Sequence, residues 1–260
     1  KLYNNFNIQD IHKKSIILIG NFDGLHLGHQ KLFHLAKRYK KRFSLKVGVL
    51  TFEPMPKMYF NKEIKNFRIS NKKQKINLLN KFNVDFVIIK KFNKKFSKIK
   101  SIDFIKKILS KKLNAKFIFV SNNFRFGNKR EGDVRQLIKY EHQCNYKIIK
   151  PKPLLIKKKV VSSTLIRNYL QKGKLDKINK LLNRVWSIEG KVQKGRQLGK
   201  KIGFPTANID IKDYILACPG VYAVKVKRYG KNSYIKGIAN LGYRPTFNGK
   251  KILLEVHLFN

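Results

Sequence analysis

The amino-acid sequence predicts an α/β part built on a parallel sheet, followed by a small β-barrel. Three observations carry this reading. Up to Leu182, short apolar runs alternate with helical patterns, as βαβ units require. Beyond residues 183–185 the helical periodicity stops, and short β-type runs separated by glycine turns replace it. With 260 residues, 42% hydrophobic and 12% aromatic, each part is large enough to bury a core.

The elements are expected in the following order. Residues 15–19 (SIILI) form a strand, 20–30 (GNFDGLHLGHQ) a glycine-rich turn, and 31–42 an amphipathic helix. Residues 45–52 (LKVGVLTF) form a second buried strand, stopped by EPMP because proline cannot continue a ladder. A helix over 71–80 and a strand over 84–89 follow. Next come a helix over 101–112, with Ser101 as N-cap and Asp103 in its first turn, and a strand over 116–120. In parallel sheets of this kind ligands bind outside the carboxyl ends of the strands, so the segments after Ile19, Phe52, Ile89 and Val120 are expected on one rim. A helix over 175–182 closes a first domain, 1–183, and 184–260 forms the second. Strands of the second domain are expected over 186–192, 222–227, 234–240 and 252–259. No internal repeat is visible.

The turn at 20–30 holds the densest chemistry. Gly20, Gly24 and Gly28 let the backbone approach a ligand closely, and the N–H groups at the following helix start attract an anion. His26 and His29 stand three residues apart, so both imidazoles can serve one phosphate. Two histidines near a glycine turn also occur as ordinary core or surface residues. A closed zinc shell is disfavoured, because no cysteine is near and Asp23 is the only adjacent carboxylate.

Four later stretches admit both a functional and a structural reading. In 121–133 (SNNFRFGNKREGD), Phe124 and Phe126 either shape a ligand site or plug the core. Ser162, Ser163 and Thr164 open a helix with Arg167 one turn further on, which fits either a cap or a phosphate site. Residues 195–208 (GRQLGKKIGFPTAN) form a glycine-rich loop beside Lys and Thr that can hold a nucleotide's phosphates, though they are no Walker A loop. Glu255, alternating with Val256 in an apolar run, is either a solvated-face residue or a base.

Charge and cysteine content bound the partners. Sixty Lys+Arg against 14 Asp+Glu give a formal +46, but the basic residues are spread along the whole chain rather than gathered in a patch. Weak, salt-sensitive polyanion binding follows from that charge, whereas specific nucleic-acid recognition does not. No apolar run reaches the roughly 20 residues that span a bilayer, and no signal-peptide pattern opens the chain. Cys144 and Cys218 lack metal-ligand spacing, which fits a reducing cytoplasm. The sequence sets no oligomeric state. The missing initiator Met is expected to reflect loss or processing of the first residue or two.

The stretch GNFDGLHLGHQ resembles the HxGH signature of the nucleotidyltransferases. In this longer form it resembles the prokaryotic bifunctional riboflavin kinase/FMN adenylyltransferases, or FAD synthetases. The TFEP, NFRFGNKREGD, SSTLIR, GFPTAN, NLGYRPTF and LEVHL segments extend the likeness in the family's order. The resemblance implies a Rossmann-like nucleotidyltransferase domain and a riboflavin kinase-like barrel. It implies that riboflavin is phosphorylated by ATP to FMN, and that FMN is adenylylated by ATP to FAD with release of pyrophosphate.

For adenylyl transfer it implies His26, His29 and Arg167 as catalytic groups. Gly20, Phe22, Asp23, Gly24, Gly28, Asn123, Ser162, Ser163 and Thr164 would bind nucleotide and phosphate. For the kinase it implies Gly199, Gly203, Pro205, Thr206 and Asn208 around ATP and flavin, with Thr206 and Asn208 on Mg2+ and Glu255 as base. Two departures stand out. Met55 replaces the family's usual His, and family members continue past the position of Asn260, so the C-terminal part of the kinase module is expected to be missing. The alternatives are an HxGH nucleotidyltransferase with a non-flavin acceptor and a basic nucleic-acid-binding protein.

Overall fold

Strand β2 (Ile16–Ile19) is buried along its whole length and sits at the centre of the N-terminal sheet. Its residues alternate between two cores. Ile16 and Leu18 face one apolar cluster with Phe33, Ala36 and Val49, and Ile17 and Ile19 face the other with Phe104, Leu109 and Ile118. Such a strand must be apolar at every position, which is why residues 15–19 carry no polar alternation. In the computed structural model, residues 1–64, 66–193, 203–246 and 249–259 are described. The chain falls into two units: Lys1–Ile64 with Lys75–Ser162, and Lys65–Gln74 with Ser163–Asn260.

In the first unit, β1 (Leu2–Tyr3) precedes β2, which leads into helix α1 (Leu27–Phe43). Strand β3 (Val47–Glu53) and the short helix α2 (Pro56–Phe60) follow, the strand ending at the proline pair as expected. Helix α3 (Lys72–Asn80) starts on a reciprocal cap, in which the Asn71 N–H donates to Gln74 Oε1 (3.0 Å) and the Gln74 N–H to Asn71 Oδ1 (2.8 Å). Strand β4 (Phe86–Lys91) leads to α4 (Lys94–Ser97) and α5 (Ser101–Asp103), which continues as a π-helix over Phe104–Lys112.

Strand β5 (Phe117–Phe119), the hairpin β6 (Arg125–Phe126) and β7 (Gly132–Asp133), helices α6 (Val134–Lys139) and α7 (Glu141–Cys144), and β8 (Lys147–Ile149) follow. A small hairpin, β9 (Leu155–Ile156) and β10 (Lys159–Val160), ends the unit. The sheet order is β1-β4-β3-β2-β5-β8, all parallel. Successive strands are added on one side from β2 through β3 to β4 and on the other side from β5 to β8, and the crevice beyond the carboxyl ends of β2 and β5 is where such sheets take ligands.

One expected cap is corrected. Lys100, not Ser101, holds the N-cap position of α5, and the Ser101 N–H donates instead to Glu131 Oε1 at 2.5 Å. A carboxylate 30 residues further along the chain thus holds the N–H of Ser101, which is the first helical residue rather than the cap.

The second unit opens with α8 (Ser163–Gln171) and α9 (Leu175–Leu182). Its strands are β11 (Val192–Gln193), β12 (Thr206–Ile209), β13 (Gly220–Val226), β14 (Ile235–Thr246) and β15 (Gly249–Leu258). They form an antiparallel sheet in the order β11-β12-β15-β14-β13. The strand expected over 186–192 is reduced to Val192–Gln193. The polar groups ahead of it bond elsewhere: Trp186 Nε1–H donates to Ile69 O (2.9 Å), and Ser187 O accepts from Gln74 Nε2 (3.0 Å).

Candidate active sites

The first site grows from the end of β2. The Gly20 N–H still donates to Leu50 O at 3.1 Å, after which the chain leaves the sheet. Phe22 and Leu25 take left-handed backbone angles (φ 48° and 37°), with Gly24 at φ 76° between them. Left-handed conformations cost a side-chain-bearing residue about 1–2 kcal/mol. Complete burial of Phe22 and Leu25 in the core beside α1 offsets that cost. Gln30 ties the turn to the helix, its Nε2–H donating to Leu25 O at 2.9 Å.

His26 occupies the N-cap position of α1 with an extended backbone, and its side chain caps none of the helix N–H groups. Its ring instead stacks on His29, with centroids 3.7 Å apart and planes at 21°. Phe22 meets His29 edge-on at 5.2 Å. A Cβ on Gly28 would lie 3.1 Å from His26 Nδ1 and 3.1 Å from Val161 O, so the missing side chain is what lets the histidine and the carbonyl share this space. Burial, and secondarily the charge of His26, holds His29 well below the usual histidine pKa. His29 is therefore neutral at pH 7, and its Nδ1 is buried with no hydrogen-bond partner among the described residues.

Other residues singled out in the sequence fall around this turn or apart from it. Asp23 is buried. Asn123 is exposed, its Oδ1 accepting from Ser121 Oγ at 2.9 Å. Phe126 is a core residue packed on Phe104, and Phe124 stacks on Phe126 with centroids 5.5 Å apart. Met55 is buried. Lys75 escaped sequence reasoning because it is one of many lysines, yet it is only 3% exposed. Its Nζ donates to Thr51 Oγ1 (3.3 Å) and Asn21 O (3.4 Å), which ties the side chain to β3 and to the turn.

Ser162, the last residue of the first unit, immediately precedes the first helical residue of α8, and Ser163 and Thr164 form the first turn of that helix in the second unit. Arg167 lies one turn on. Its Nε–H donates to Phe67 O at 2.9 Å, and its guanidinium carbon stands 3.7 Å from the centre of the Phe67 ring.

A second constellation lies on the antiparallel sheet of that unit. Asn208 on β12 is directly opposite Glu255 on β15, and Thr206 is opposite His257. Cross-strand partners and residues two apart share a face, so all four side chains project from one side. The other side is core, with Ala239 and Val256 buried. The row extends both ways, Gln193 pairing with Asn208 and Asn240 with Glu255. Asn208 Oδ1 is buried without a hydrogen-bond partner among the described residues, as an oxygen waiting for a ligand would be. His257 Nδ1 lies 2.8 Å from Pro205 O, which makes that nitrogen the protonated one. Sequence reasoning missed His257 and Asn240; the signal for the first was its position two residues after Glu255, on the same face. Gly203 is a left-handed turn (φ 81°) leading into Pro205 and β12, and Gly199 lies outside the described residues.

A parallel sheet whose first turn carries HLGH into a helix start defines a nucleotidyltransferase-like unit, here joined to an antiparallel sheet with Thr, Asn and Glu on one face. Comparison with known proteins makes this specific. A family model described as FAD synthetase matches residues 8–165, and one described as Riboflavin kinase matches residues 182–260. The chain belongs to the bifunctional riboflavin kinase/FMN adenylyltransferase family. It is 41% identical over 256 residues to a protein of that name from Buchnera aphidicola subsp. Acyrthosiphon pisum, covering 98% of this chain and 82% of the relative. It is 35% identical over 245 residues to one from Escherichia coli K12, covering 94% and 78%. A crystal structure described as a macrolide-efflux protein from Streptococcus pneumoniae matches with TM-score 0.85 and 26% identity, covering 100% of this chain and 84% of that one. Among the described residues of this chain no helix is long and apolar enough to cross a membrane.

Proposed function

We propose that this chain adenylylates FMN in domain 1–183 and phosphorylates riboflavin in domain 184–260, using ATP for both. The observation that carries the first activity is the stacked histidine pair at the start of α1, with His29 held neutral. When an FMN phosphate oxygen attacks the α-phosphate of ATP, negative charge builds on the phosphate oxygens as pyrophosphate departs. The first N–H groups of α1, with the N–H groups of His26 and His29, are fixed donors for that charge, so no solvent has to reorganise. Stacked rings cannot both carry a proton cheaply, but an arriving triphosphate stabilises one imidazolium. Arg167, with Ser162, Ser163 and Thr164, serves the ATP phosphates, and Asn123 assists nucleotide binding from the loop after β5.

On the second sheet, Glu255 accepts the proton of the riboflavin 5′-hydroxyl as that oxygen attacks the γ-phosphate of ATP and the bond to the β-phosphate oxygen breaks, releasing ADP. Thr206 and Asn208 supply hard oxygen donors of the kind Mg2+ takes, and Asn208 Oδ1, which has no hydrogen-bond partner among the described residues, fits that use. Bound there with ATP, Mg2+ would neutralise phosphate charge. The free thiols of Cys144 and Cys218 support a reducing cytoplasm, and the partners are small molecules rather than a specific nucleic acid or a membrane.

The test is direct. Folded protein supplied with ATP, Mg2+ and FMN should yield FAD and pyrophosphate by chromatography, and with riboflavin it should yield FMN. No FAD from folded protein overturns the first activity, and no FMN overturns the second.

A further inference from the structure

A short segment from the first half of the chain, residues 66–74, belongs to the second unit. Its backbone is fixed on several sides. The Arg68 N–H donates to Asp213 O (3.1 Å), Arg68 O accepts from the Ile215 N–H (2.8 Å), and Ile69 O accepts from Trp186 Nε1 (2.9 Å). Phe67 is the residue just before this anchored pair. It holds Arg167 twice, through its carbonyl on Nε and through its ring under the guanidinium.

A guanidinium recognises phosphate through the direction of its planar fork, so an arginine with a free swing loses much of its value there. The carbonyl fixes one edge of the Arg167 fork and the ring fixes its plane. We propose that Phe67 is a positioning residue for adenylyl transfer, orienting Arg167 toward the ATP phosphates. This rests on the reading of Arg167 as a phosphate ligand. Phe67 touches no reacting atom in this scheme; it acts through the arginine. The aromatic face is the specific requirement, because a leucine at 67 would keep the carbonyl and most of the apolar volume but remove the ring.

The experiment is a double-mutant cycle with Phe67→Leu, Arg167→Ala and the pair, plus Phe67→Tyr, each measured for FMN adenylylation against ATP concentration. Arg167→Ala should lower kcat/KM strongly. Phe67→Leu should raise the KM for ATP about threefold to tenfold, the range expected for a partly desolvated cation–π contact, while the KM for FMN stays unchanged. Phe67→Tyr should restore the parent values, and Phe67→Leu should add no further loss in the Arg167→Ala background. Parent-like kinetics of Phe67→Leu beside an impaired Arg167→Ala would overturn the role of Phe67. So would an equal loss from Phe67→Leu in both backgrounds, since that would mark a general effect on folding. If Arg167→Ala alone is fully active, the phosphate role of Arg167 fails first and the role of Phe67 falls with it.

Discussion

The two candidate sites are built in opposite ways. The histidine cradle comes from one unbroken stretch, 20–30, whose side chains are largely buried and whose electrostatics are set by that burial. The polar face of the second sheet is assembled from β11, β12, β14 and β15, with Thr206 and Asn240 exposed. A buried cradle can shift a proton affinity and present dipoles that need not reorganise. An open face relies on register, which sets four polar side chains abreast without any of them being close in sequence. Each arrangement suits its task, since charge stabilisation gains from a dry site and proton transfer from a hydroxyl needs a carboxylate that stays ionised.

The sharpest way to break this comparison is to disable each site alone. Glu255→Gln keeps the strand and its shape but removes the proposed base, so riboflavin phosphorylation should fall by about 10²- to 10⁴-fold. FMN adenylylation by the same preparation should be unchanged. His29→Ala should do the reverse, lowering FAD formation by about 10²- to 10³-fold, the usual effect of removing one charge-stabilising donor, with kinase turnover intact. Measuring both rates on both variants decides the matter. If either substitution depresses both activities equally, the two sites are not independent as their construction implies.

The contrast also explains what was legible in the sequence. The cradle could be read residue by residue because its glycines, histidines and helix start are contiguous. So could the parallel sheet, because doubly buried strands leave uninterrupted apolar runs such as 16–19. The shared face of Thr206, Asn208, Glu255, His257 and Asn240 depends on strand register, which apolar alternation alone does not fix between distant strands. The anchoring of Arg167 on Phe67 joins residues 100 positions apart and has no local signature. The misplaced cap at Ser101 and the shortened strand before Val192 share one cause. In both, a hydrogen bond to a group far along the chain, which local reasoning does not see, holds the segment.

Burial of the histidine pair gives the comparison a pH signature. The His29 pKa in the folded protein lies below its ordinary value near 6.5. The unfolded chain therefore binds more protons in the window between the two values. The stability His29 contributes is fully present above about pH 6.5 and is lost as pH falls from there toward the folded value. Urea unfolding at pH 7.5 and 5.5 should show a smaller pH-dependent loss in His29→Gln than in the parent. ATP should act in the opposite sense, because its phosphates favour the protonated pair. Calorimetry in two buffers of different ionisation enthalpy should then show proton uptake on ATP binding, reduced in the variant. Identical pH slopes and no uptake would show that His29 is not held neutral by burial.

The smallest expected effect probes how closely the cradle is packed. Gly28→Ala places a Cβ at 3.1 Å from both His26 Nδ1 and Val161 O, tighter than ordinary van der Waals contact. Alanine is also the better helix former, by about 1 kcal/mol relative to glycine, and Gly28 lies in the first turn of α1. The two effects oppose each other in stability, so the thermal midpoint should move by only a few degrees. They do not oppose each other in the site. The His26 ring must shift by some tenths of an ångström, and a donor aimed at developing charge loses value when displaced. FAD formation should therefore fall several-fold in kcat while the fold holds. A variant with unchanged kcat would mean that the His26 ring tolerates displacement, and that the close approach at Gly28 serves packing alone.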